Sequence, residues 1–279
     1  MNPNDTTLIS VGGQPLWLLP EKAAFLPEAS TLLIADAHIG KGLSFRKLGV
    51  PVPHGTTSAT LGALSTLVAR LDAKRIVFLG DFLHSARSHG PTTMDTVARW
   101  RDAHATLELT LVRGNHDDHA GDPPTYLGIH AVDEPLMHGD LALCHHPIAR
   151  APAYVLAGHL HPGVSLGGRA NDHLRLPCFW FGAQVGVLPA FGAFTGLHTI
   201  RAEPEDRVFV ASDGRVIELG AARLPQRART ARALHRPPSC AGWSGTCKRW
   251  PAPCPSRRCP GRSCTAAART SRPSCAATG

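Results

Sequence analysis

The end of the chain lacks almost every residue that builds a hydrophobic core. Residues 226–279 contain no Ile, Val, Phe, Tyr or Met, and a single leucine, Leu234. They also contain no acidic residue, although they hold six of the eight cysteines. A stretch of this composition cannot bury enough apolar surface to offset the entropy lost on ordering. We therefore expect one domain over residues 1–219, followed by a disordered, basic, low-complexity tail over residues 220–279.

Acidic residues are absent after Leu219, and this absence changes the meaning of the net charge. Twelve of the 29 Lys and Arg residues lie beyond Leu219 but none of the 21 acids does, so residues 1–219 carry 17 minus 21, or −4, within a chain of formal charge +8. Charge alone therefore does not indicate nucleic-acid binding by the domain. The tail could bind polyanions without specificity. Its Arg, Pro, Ser, Ala and Cys mixture equally resembles a GC-rich gene read out of frame, and both interpretations stay open.

Further absences exclude other classes of protein. The tail cysteines form no Cys-x-x-Cys pair, which argues against a structural zinc module. The two remaining cysteines, Cys144 and Cys178, lie in apolar runs typical of small buried side chains. No window approaches 18 uninterrupted apolar residues, and the start of the chain has no basic segment followed by a long apolar run. We expect a soluble cytoplasmic protein that does not contact a membrane.

The first half of the domain alternates strand-like and helix-like patterns. The helix predicted over His54–Leu71, for example, places Leu61, Leu64 and Leu67 on one face. The alternating elements are the strands Thr31–Ala35, Arg75–Leu79 and Leu107–Val112 and the helices His54–Leu71 and Thr92–Ala105. Strands separated in this way by helices imply a parallel sheet with crossover helices.

The second half of the domain changes to closely spaced strands. They are predicted over Gly128–Asp133, Asp140–Cys144, Tyr154–Ala157, Leu174–Phe181 and Arg207–Leu219. The last of these contains a hairpin between Val208–Ala211 and Val216–Leu219 with a Ser-Asp-Gly turn. A strand-rich half that follows a β-α-β half predicts an α/β fold of two sheets packed face to face, with helices outside.

Metal-binding side chains follow five successive apolar runs. These blocks are Asp36-Ala37-His38, Gly80-Asp81, Gly114-Asn115-His116-Asp117, Cys144-His145-His146 and Gly158-His159-Leu160-His161. Ligands of open α/β sheets gather beyond the carboxyl ends of the strands, where these blocks fall. Histidines two residues apart, such as His159 and His161, point to one side of an extended backbone. Asp81 could use both carboxylate oxygens to bridge two cations.

The donor types predict the metal and the chemistry. A mixture of carboxylate, amide and imidazole donors favours Mn, Fe, Zn or Co over calcium, and the absence of thiolate argues against structural zinc. Two such ions, about 3.5–4 Å apart, can polarise a phosphoryl group and bring the pKa of bound water to about 7. We therefore predict hydrolysis of a phosphate ester with two divalent ions, preferably Mn²⁺.

The five blocks resemble those of the calcineurin-like metallophosphoesterases, which run D-x-H, G-D, G-N-H-D/E, H and G-H-x-H. The resemblance covers nearly all of residues 1–219 and implies a four-layer α/β/β/α sandwich. It implies one metal ion held by Asp36, His38, Asp81 and His161. It implies a second held by Asp81, Asn115, His145 and His159, with a hydroxide between the ions that attacks phosphorus.

The same resemblance assigns roles to neighbours of the ligands. His116 matches the family histidine that stabilises charge or protonates the leaving oxygen, and Asp117 would orient it. At the fourth block we prefer His145 to His146 as the ligand, because His145 directly follows the strand. His146 would then line the substrate pocket.

One subgroup of the family matches further stretches of the sequence. Residues 35–42, 45–46, 51–53, 80–85 and 188–196 resemble the ligase-associated DNA damage response phosphoesterases, which are endonucleases. The block that contains His84 also resembles that of SbcD-type recombination nucleases, in which the matching histidine faces the substrate phosphate. These resemblances imply DNA as the substrate, a role in repair, and a helicase and a DNA ligase as partners.

Several readings stay open beside this one. Basic residues near the blocks could contact substrate phosphates or be solvated loop charges: Lys41, Arg46, Lys47, Arg87 and Arg113. The activity could instead be that of a small-molecule phosphatase or nucleotide phosphodiesterase, or the chain could be a non-catalytic metal-binding subunit of a repair complex. Residues 163–167 fit the G-x-S-x-G motif of serine hydrolases, with Asp172 and His198 as partners, but no helix is predicted after them.

Overall fold

The computed structural model describes residues 5–167 and 173–220. The tail predicted over residues 220–279 lies outside the described residues except for Gly220. The described part forms two β-sheets with helices, so the predicted α/β class is confirmed.

The first sheet has seven strands in sequence order, and its second half is parallel. Its strands are β1 (Thr7–Val11), β2 (Gln14–Leu19), β3 (Ala23–Leu26), β4 (Thr31–Ile34), β5 (Arg75–Leu79), β6 (Glu108–Val112) and β7 (Ile129–Val132). Strands β1 to β4 pair antiparallel, whereas β4 to β7 pair parallel. The parallel order of β4, β5 and β6 was predicted. The antiparallel meander before β4 was missed.

Four α-helices accompany this sheet. They are α1 (Lys41–Lys47), α2 (Thr56–Leu71), α3 (Pro91–Ala103) and α4 (Asn115–Ala120). Helix α2 begins two residues later than predicted, because Gly55 before it has a positive φ of 79° that ends the preceding loop. Helix α1 and short 3₁₀ turns at Ala86–His89 and Thr125–Leu127 were not predicted. No helix in the described part is long and apolar enough to cross a membrane.

The second sheet has nine strands. They are β8 (Leu136–His138), β9 (Leu141–Leu143), β10 (Tyr154–Ala157), β11 (Pro162–Gly167), β12 (His173–Phe181), β13 (Val185–Val187), β14 (His198–Thr199), β15 (Arg207–Ser212) and β16 (Arg215–Leu219). The predicted hairpin is β15–β16, with Asp213 and Gly214 at φ of 51° and 72°. Two successive positive φ values match the right-handed twist of the paired strands.

Successive side chains of β4 and β5 point to opposite faces of the first sheet and contribute to a hydrophobic core on each face. Leu32 and Phe78 pack with the buried face of α2, which includes Leu64. Leu33 and Leu79 point to the other face and pack with side chains of the second sheet, such as Phe179 and Phe209. The order of layers is therefore helices, first sheet, second sheet. Within residues 5–167 and 173–220, no helix follows β7, so the predicted fourth layer of helices is not among the described residues.

Candidate metal centre

All five predicted blocks begin just after a strand ends; four lie in loops, and the third runs into the first turn of α4. The blocks follow β4, β5, β6, β9 and β10. Backbone hydrogen bonds join these loops to each other. The amide of His38 donates to the carbonyl of Asp81 (2.9 Å), and the amide of Gly158 donates to the carbonyl of His145 (3.2 Å). The blocks therefore meet at one edge of the two sheets, as parallel strand ends predict.

Five of the seven predicted ligands have a left-handed backbone. The φ angles of Asp36, His38, Asp81, His159 and His161 are 51°, 47°, 51°, 71° and 49°. Asp and His tolerate this region better than most residues, but each such residue still stores strain that the surrounding structure must hold. Backbone strain concentrated at the ends of three different strands indicates that the placement of the side chains, rather than a relaxed backbone, determines the conformation of these loops.

Four donor side chains form what we term the first donor group: Asp36, His38, Asp81 and His161. Each of these side chains has a donor atom within 4 Å of a donor atom of another member. His38 Nε2 lies 3.3 Å from His161 Nε2 and 3.8 Å from Asp81 Oδ2. His161 Nε2 lies 3.6 Å from Asp36 Oδ1. Asp36, His38 and Asp81 are buried, so these polar atoms are withdrawn from bulk water.

The second donor group consists of Asp81, Asn115, His145 and His159. His145 Nε2 lies at its centre, 2.9 Å from Asn115 Oδ1, 3.0 Å from His159 Nδ1 and 3.5 Å from Asp81 Oδ1. Asp81 thus belongs to both groups, with Oδ2 toward the first and Oδ1 toward the second. His145 is fully buried, whereas His146 is half exposed beside it, so the geometry favours His145 as the donor.

The second donor group can be tested for its fit to a cation. His145 Nδ1 lies 3.0 Å from the carbonyl of Leu79, which can only accept, so Nδ1 carries the hydrogen and Nε2 presents a lone pair in the neutral ring. That lone pair faces oxygens of Asn115 and Asp81, an arrangement that repels unless a cation lies among them. Ligands about 2.1 Å from one ion lie roughly 3.0–3.4 Å apart, close to the spacings observed here. A histidine that binds metal usually donates its other N–H to a carbonyl. The donor set fits a divalent metal ion.

Burial favours the neutral form of His38 and His159, which is the form that metal binding requires. Burial lowers the pKa of His38, and the charge of Lys41 and the neighbouring histidines lower it further. Burial also lowers the pKa of His159, and His145 and His146 act in the same direction against Asp36 and Asp81.

His116 contacts members of the donor groups, and its ring centroid lies 4.9 Å from that of His38. Its Nδ1 is 2.7 Å from the carbonyl of His84, and its amide donates to Asp81 Oδ1 (2.9 Å). The ring of His84 stacks on it with centroids 5.1 Å apart. Burial lowers the pKa of His84 to about 4, with Lys41 and His116 contributing. His116 therefore keeps Nε2 for exchange with a substrate, and His84 packs against it as a neutral ring.

Asp117 does not play the predicted role of orienting His116. Its buried carboxylate accepts hydrogen bonds from the amides of Gly114 (3.0 Å), Leu83 (3.1 Å) and Phe82 (3.3 Å). Burial raises the pKa of Asp117 to about 6 against the effect of these bonds. The carboxylate thus fixes the loops after β5 and β6 to each other, while the carbonyl of His84 orients His116.

The basic residues near the blocks divide into two kinds. The guanidinium of Arg46 donates to the carbonyl of Pro53 (2.7 Å), and that of Arg113 pairs with Asp122 (2.7 Å), so both brace loops. The phosphate contact of Arg46 stays a prediction, since only Nη1 of the guanidinium is engaged in these bonds. Lys41 is different, because burial lowers its pKa while the carboxylates of Asp36 and Asp81 raise it. Lys41 consequently lies within the field of the donor groups.

Sequence reasoning missed Glu134, which fixes the fourth block. Its Oε2 accepts the amides of His145 (2.8 Å) and His146 (2.9 Å), and its Oε1 accepts from Arg150 (3.0 Å). Burial raises the pKa of Glu134, but the bonds from His146 and His145 outweigh it and leave the pKa lowered. Glu134 lies in the loop between β7 and β8, far from any predicted block, so no spacing in the sequence identifies it.

The interpretation of residues 163–167 as a serine hydrolase motif is wrong. Residues 163–167 lie within β11, where Ser165 pairs with Arg175 of antiparallel β12. A nucleophile elbow needs a sharp turn between a strand and a helix, and a regular strand does not provide one. Asp172, its proposed partner, lies outside the described residues.

Comparison with known proteins identifies the family. The nuclease MPE of Pseudomonas putida, known from a crystal structure, is 43% identical over 77% of this chain and 100% of that chain, with a TM-score of 0.69. This chain belongs to the metallophosphoesterase superfamily. As a metallophosphoesterase, it is a metal-dependent hydrolase of phosphoric esters.

More distant structures add nothing to that assignment. YfcE, a phosphoesterase from E. coli, is 15% identical over 68% of this chain and 98% of its own, with a TM-score of 0.34. AQ665 of Aquifex aeolicus, a protein of unknown function, is 15% identical over 50% and 81%, with a TM-score of 0.32. No family model and no curated protein matches the metallophosphoesterase chain.

The shared position of Asp81 gives the first prediction. Asp81→Ala should abolish binding at both donor groups, because each loses one of its oxygens and the remaining donors face each other without a counterion. Metal content, measured by plasma mass spectrometry after equilibration with Mn²⁺, should fall from two ions to none. Asp95→Ala removes an exposed acid of α3 and should leave two. Two ions retained in Asp81→Ala would show that Asp81 is not shared.

The contacts of Glu134 give the second prediction. Glu134→Ala leaves two amides of the fourth block without their acceptor, so His145 loses its fixed position. Mn²⁺ affinity of one site should fall by about 10–100-fold, the usual cost of losing a group that orients a ligand. Titration calorimetry would measure it, and Glu134→Gln, which keeps one acceptor oxygen, should restore part of the affinity.

A matched control separates this effect from simple destabilisation. Glu108 also pairs with an arginine, Arg75, but on the surface far along the first sheet. Glu108→Ala should leave Mn²⁺ affinity unchanged. Equal affinities in Glu134→Ala and the parent protein would show that Glu134 holds the loop without positioning His145.

Proposed function

We propose that this metallophosphoesterase hydrolyses phosphodiester bonds of DNA with two divalent ions, preferably Mn²⁺. One observation carries the proposal: the carboxylate of Asp81 turns one oxygen to each of two donor groups. A single ion would not need a second cluster of imidazole and oxygen donors on the other side of the same carboxylate. Seven donors of mixed oxygen and nitrogen type suit Mn, Fe, Zn or Co.

Different side chains would hold the two ions. Asp36, His38 and His161 would hold one ion, Asn115, His145 and His159 the other, and Asp81 both. Two ions held in this way polarise a phosphoryl group and lower the pKa of bound water to about 7.

His116 supplies the proton chemistry in this scheme. Since the N–H at Nδ1 is held by the carbonyl of His84, Nε2 is the atom that would donate a proton to the leaving oxygen when the ring carries a proton on both nitrogens. The neutral ring of His84, stacked on His116, would contact the phosphate without adding a second positive charge. Lys41 and His146, at opposite sides of the donor groups, would contact the substrate phosphate.

Three observations favour DNA as the substrate. The similar Pseudomonas putida protein is a nuclease. The loop that carries Asp36 and the block that carries His84 resemble those of DNA-processing members of the family. The negative charge of the domain does not oppose this, because two divalent ions reverse the local sign. A repair role in the cytoplasm, with a helicase and a DNA ligase as partners, extends the proposal on the same resemblance.

A comparison of phosphodiester and phosphomonoester substrates tests the proposed activity. With Mn²⁺, kcat/KM for bis(p-nitrophenyl) phosphate should exceed that for p-nitrophenyl phosphate, and DNA of linear, circular and single-stranded form should be cut in parallel assays. A chelator should abolish both activities. A preference for the monoester, or cleavage of nucleotides but not of DNA, would favour a small-molecule phosphatase or nucleotide phosphodiesterase instead.

The role of His116 gives a further prediction. His116→Ala should keep both ions, because His116 belongs to neither donor group, but lower kcat by about 10² or more through loss of the proton donor. Steady-state kinetics and metal content, measured on the same sample, check it. His130→Ala, which removes an exposed histidine of β7, should leave both quantities unchanged. Unaltered kcat in His116→Ala would remove His116 from the mechanism.

A further inference from the structure

A recess of about 450 Å³ opens beside the first donor group. Its walls are mainly apolar and include Pro53, Ala59, Phe191 and Phe194, with Lys22 at one side. The volume falls within the range of small-molecule sites, which are commonly apolar with a few polar groups that orient the ligand. None of these residues belongs to either donor group.

A narrow crevice connects the recess to the metal ligands. His38 and Lys41 line the crevice together with Thr60 and Phe194. Thr60 and Phe194 also line the recess itself, so the two spaces are adjacent. The recess therefore lies next to the part of the first block that carries His38 and Lys41.

The loop that forms one wall is fixed to the loop of the first block. The amide of Phe191 donates to the carbonyl of Ala35 (2.8 Å), and the amide of Gly192 donates to the carbonyl of Asp36 (3.1 Å). A Cβ at Gly192 would collide with the carbonyl oxygen of Ala37, so only glycine permits this approach. The recess consequently has a fixed position relative to Asp36.

Phe194 stands at the edge of the recess in an unfavourable conformation. Its φ is 60°, a left-handed value that bulky side chains rarely adopt, and 48% of its surface is exposed. Strain of this kind persists where the surroundings enforce it and clusters at ligand sites. An exposed aromatic ring on a strained backbone, next to a metal centre, is placed to contact a ligand rather than to stabilise the core.

Lys22 provides a cationic donor at the recess. Its ammonium donates to the carbonyl of Phe191 (3.0 Å), and burial lowers its pKa. An ammonium has three hydrogens, so it can donate to a ligand oxygen or nitrogen while it keeps this bond. The recess therefore combines an aromatic face and apolar walls with polar groups, which are Lys22, Glu21, His54, Thr56 and Thr60.

We propose that this recess binds the nucleobase of a nucleotide whose phosphate lies at the donor groups, with Phe194 stacked on the base and Lys22 donating to its edge. The proposal rests on the proposed phosphodiester activity. A nucleobase has two apolar faces and a polar edge, which match the apolar walls and the polar groups of the recess, among them Lys22. Stacking of bases on aromatic side chains tolerates any sequence, because every base has a π-face.

Two esters that differ only in the base test the proposal. One is the p-nitrophenyl ester of thymidine 5′-phosphate, and the other is its abasic analogue, in which hydrogen replaces the base. With Mn²⁺, the parent protein should hydrolyse the thymidine ester with a kcat/KM about tenfold higher, mainly through KM. Phe194→Ala should bring this ratio close to one, and Phe194→Trp, which keeps a stacking face, should retain it.

Tyr126→Ala is the matched control. Tyr126 is an exposed aromatic residue that does not line the recess, and its removal should leave the ratio unchanged. A ratio near one in the parent protein, or a ratio that Phe194→Ala does not lower, would overturn the proposal.

A binding measurement distinguishes failure of this proposal from failure of the proposed activity. Titration calorimetry with thymidine 5′-phosphate and with abasic deoxyribose 5-phosphate, each with Mn²⁺, should show about tenfold tighter binding of the nucleotide, lost in Phe194→Ala. If neither ester is hydrolysed, the phosphodiesterase proposal fails, and this affinity ratio alone decides for or against the recess.

Discussion

The arrangement of buried donors around Asp81 is the constraint on which the rest of the site depends. Seven side chains turn donor atoms toward one another, four of them (Asp36, His38, Asp81 and His145) are buried, and burial lowers the pKa of His38 and His159. Without a cation this arrangement is unfavourable, because carboxylate oxygens and imidazole lone pairs repel. The fold must therefore hold the donors together by other bonds, and those bonds explain most of the local structure.

Backbone contacts, rather than side-chain packing, supply that restraint. The loops after β4 and β5 are joined through the amide of His38, and those after β5 and β6 through the carboxylate of Asp117. Glu134, which belongs to neither donor group, fixes the fourth block by accepting the amide hydrogens of His145 and His146. Five of the ligands adopt strained, left-handed conformations, because a regular strand end would not turn successive donor side chains toward the same site.

The sequence predicted the helices and strands whose pattern of apolar residues is compatible with only one type of secondary structure. The 3.6-residue period of α2 predicts a helix, and strands β4 and β5 are apolar after their first residues, Thr31 and Arg75, because both faces of the first sheet are covered. The five blocks were recognisable because ligand types recur at strand ends. The strands β1 to β3 were missed since their partners are antiparallel neighbours without helices between them. No helix before β4 marks where they begin and end.

Residues that act through the backbone could not be predicted in the same way. Glu134 and Asp117 accept amide hydrogens, and any acid at a suitable place in space could do so, hence neither the residue type nor its spacing is diagnostic. Arg46 shows the converse: a cation near a phosphate site in sequence is bonded to a carbonyl seven residues away. Contacts of this kind depend on the paths of the loops, which the periodicity of apolar residues does not predict.

The two donor groups differ in how firmly their histidines are held, and this difference bears on how the ions would bind. In the second group, His145 is fixed at Nδ1 by Leu79 and at its amide by Glu134. In the first group, Nδ1 of His38 is buried and has no hydrogen-bond partner among the described residues. A ligand that is already oriented loses less freedom on binding. The second donor group is therefore the more preorganised of the two. The first donor group lies next to the recess and Lys41, and its side chains would become ordered when metal and substrate bind.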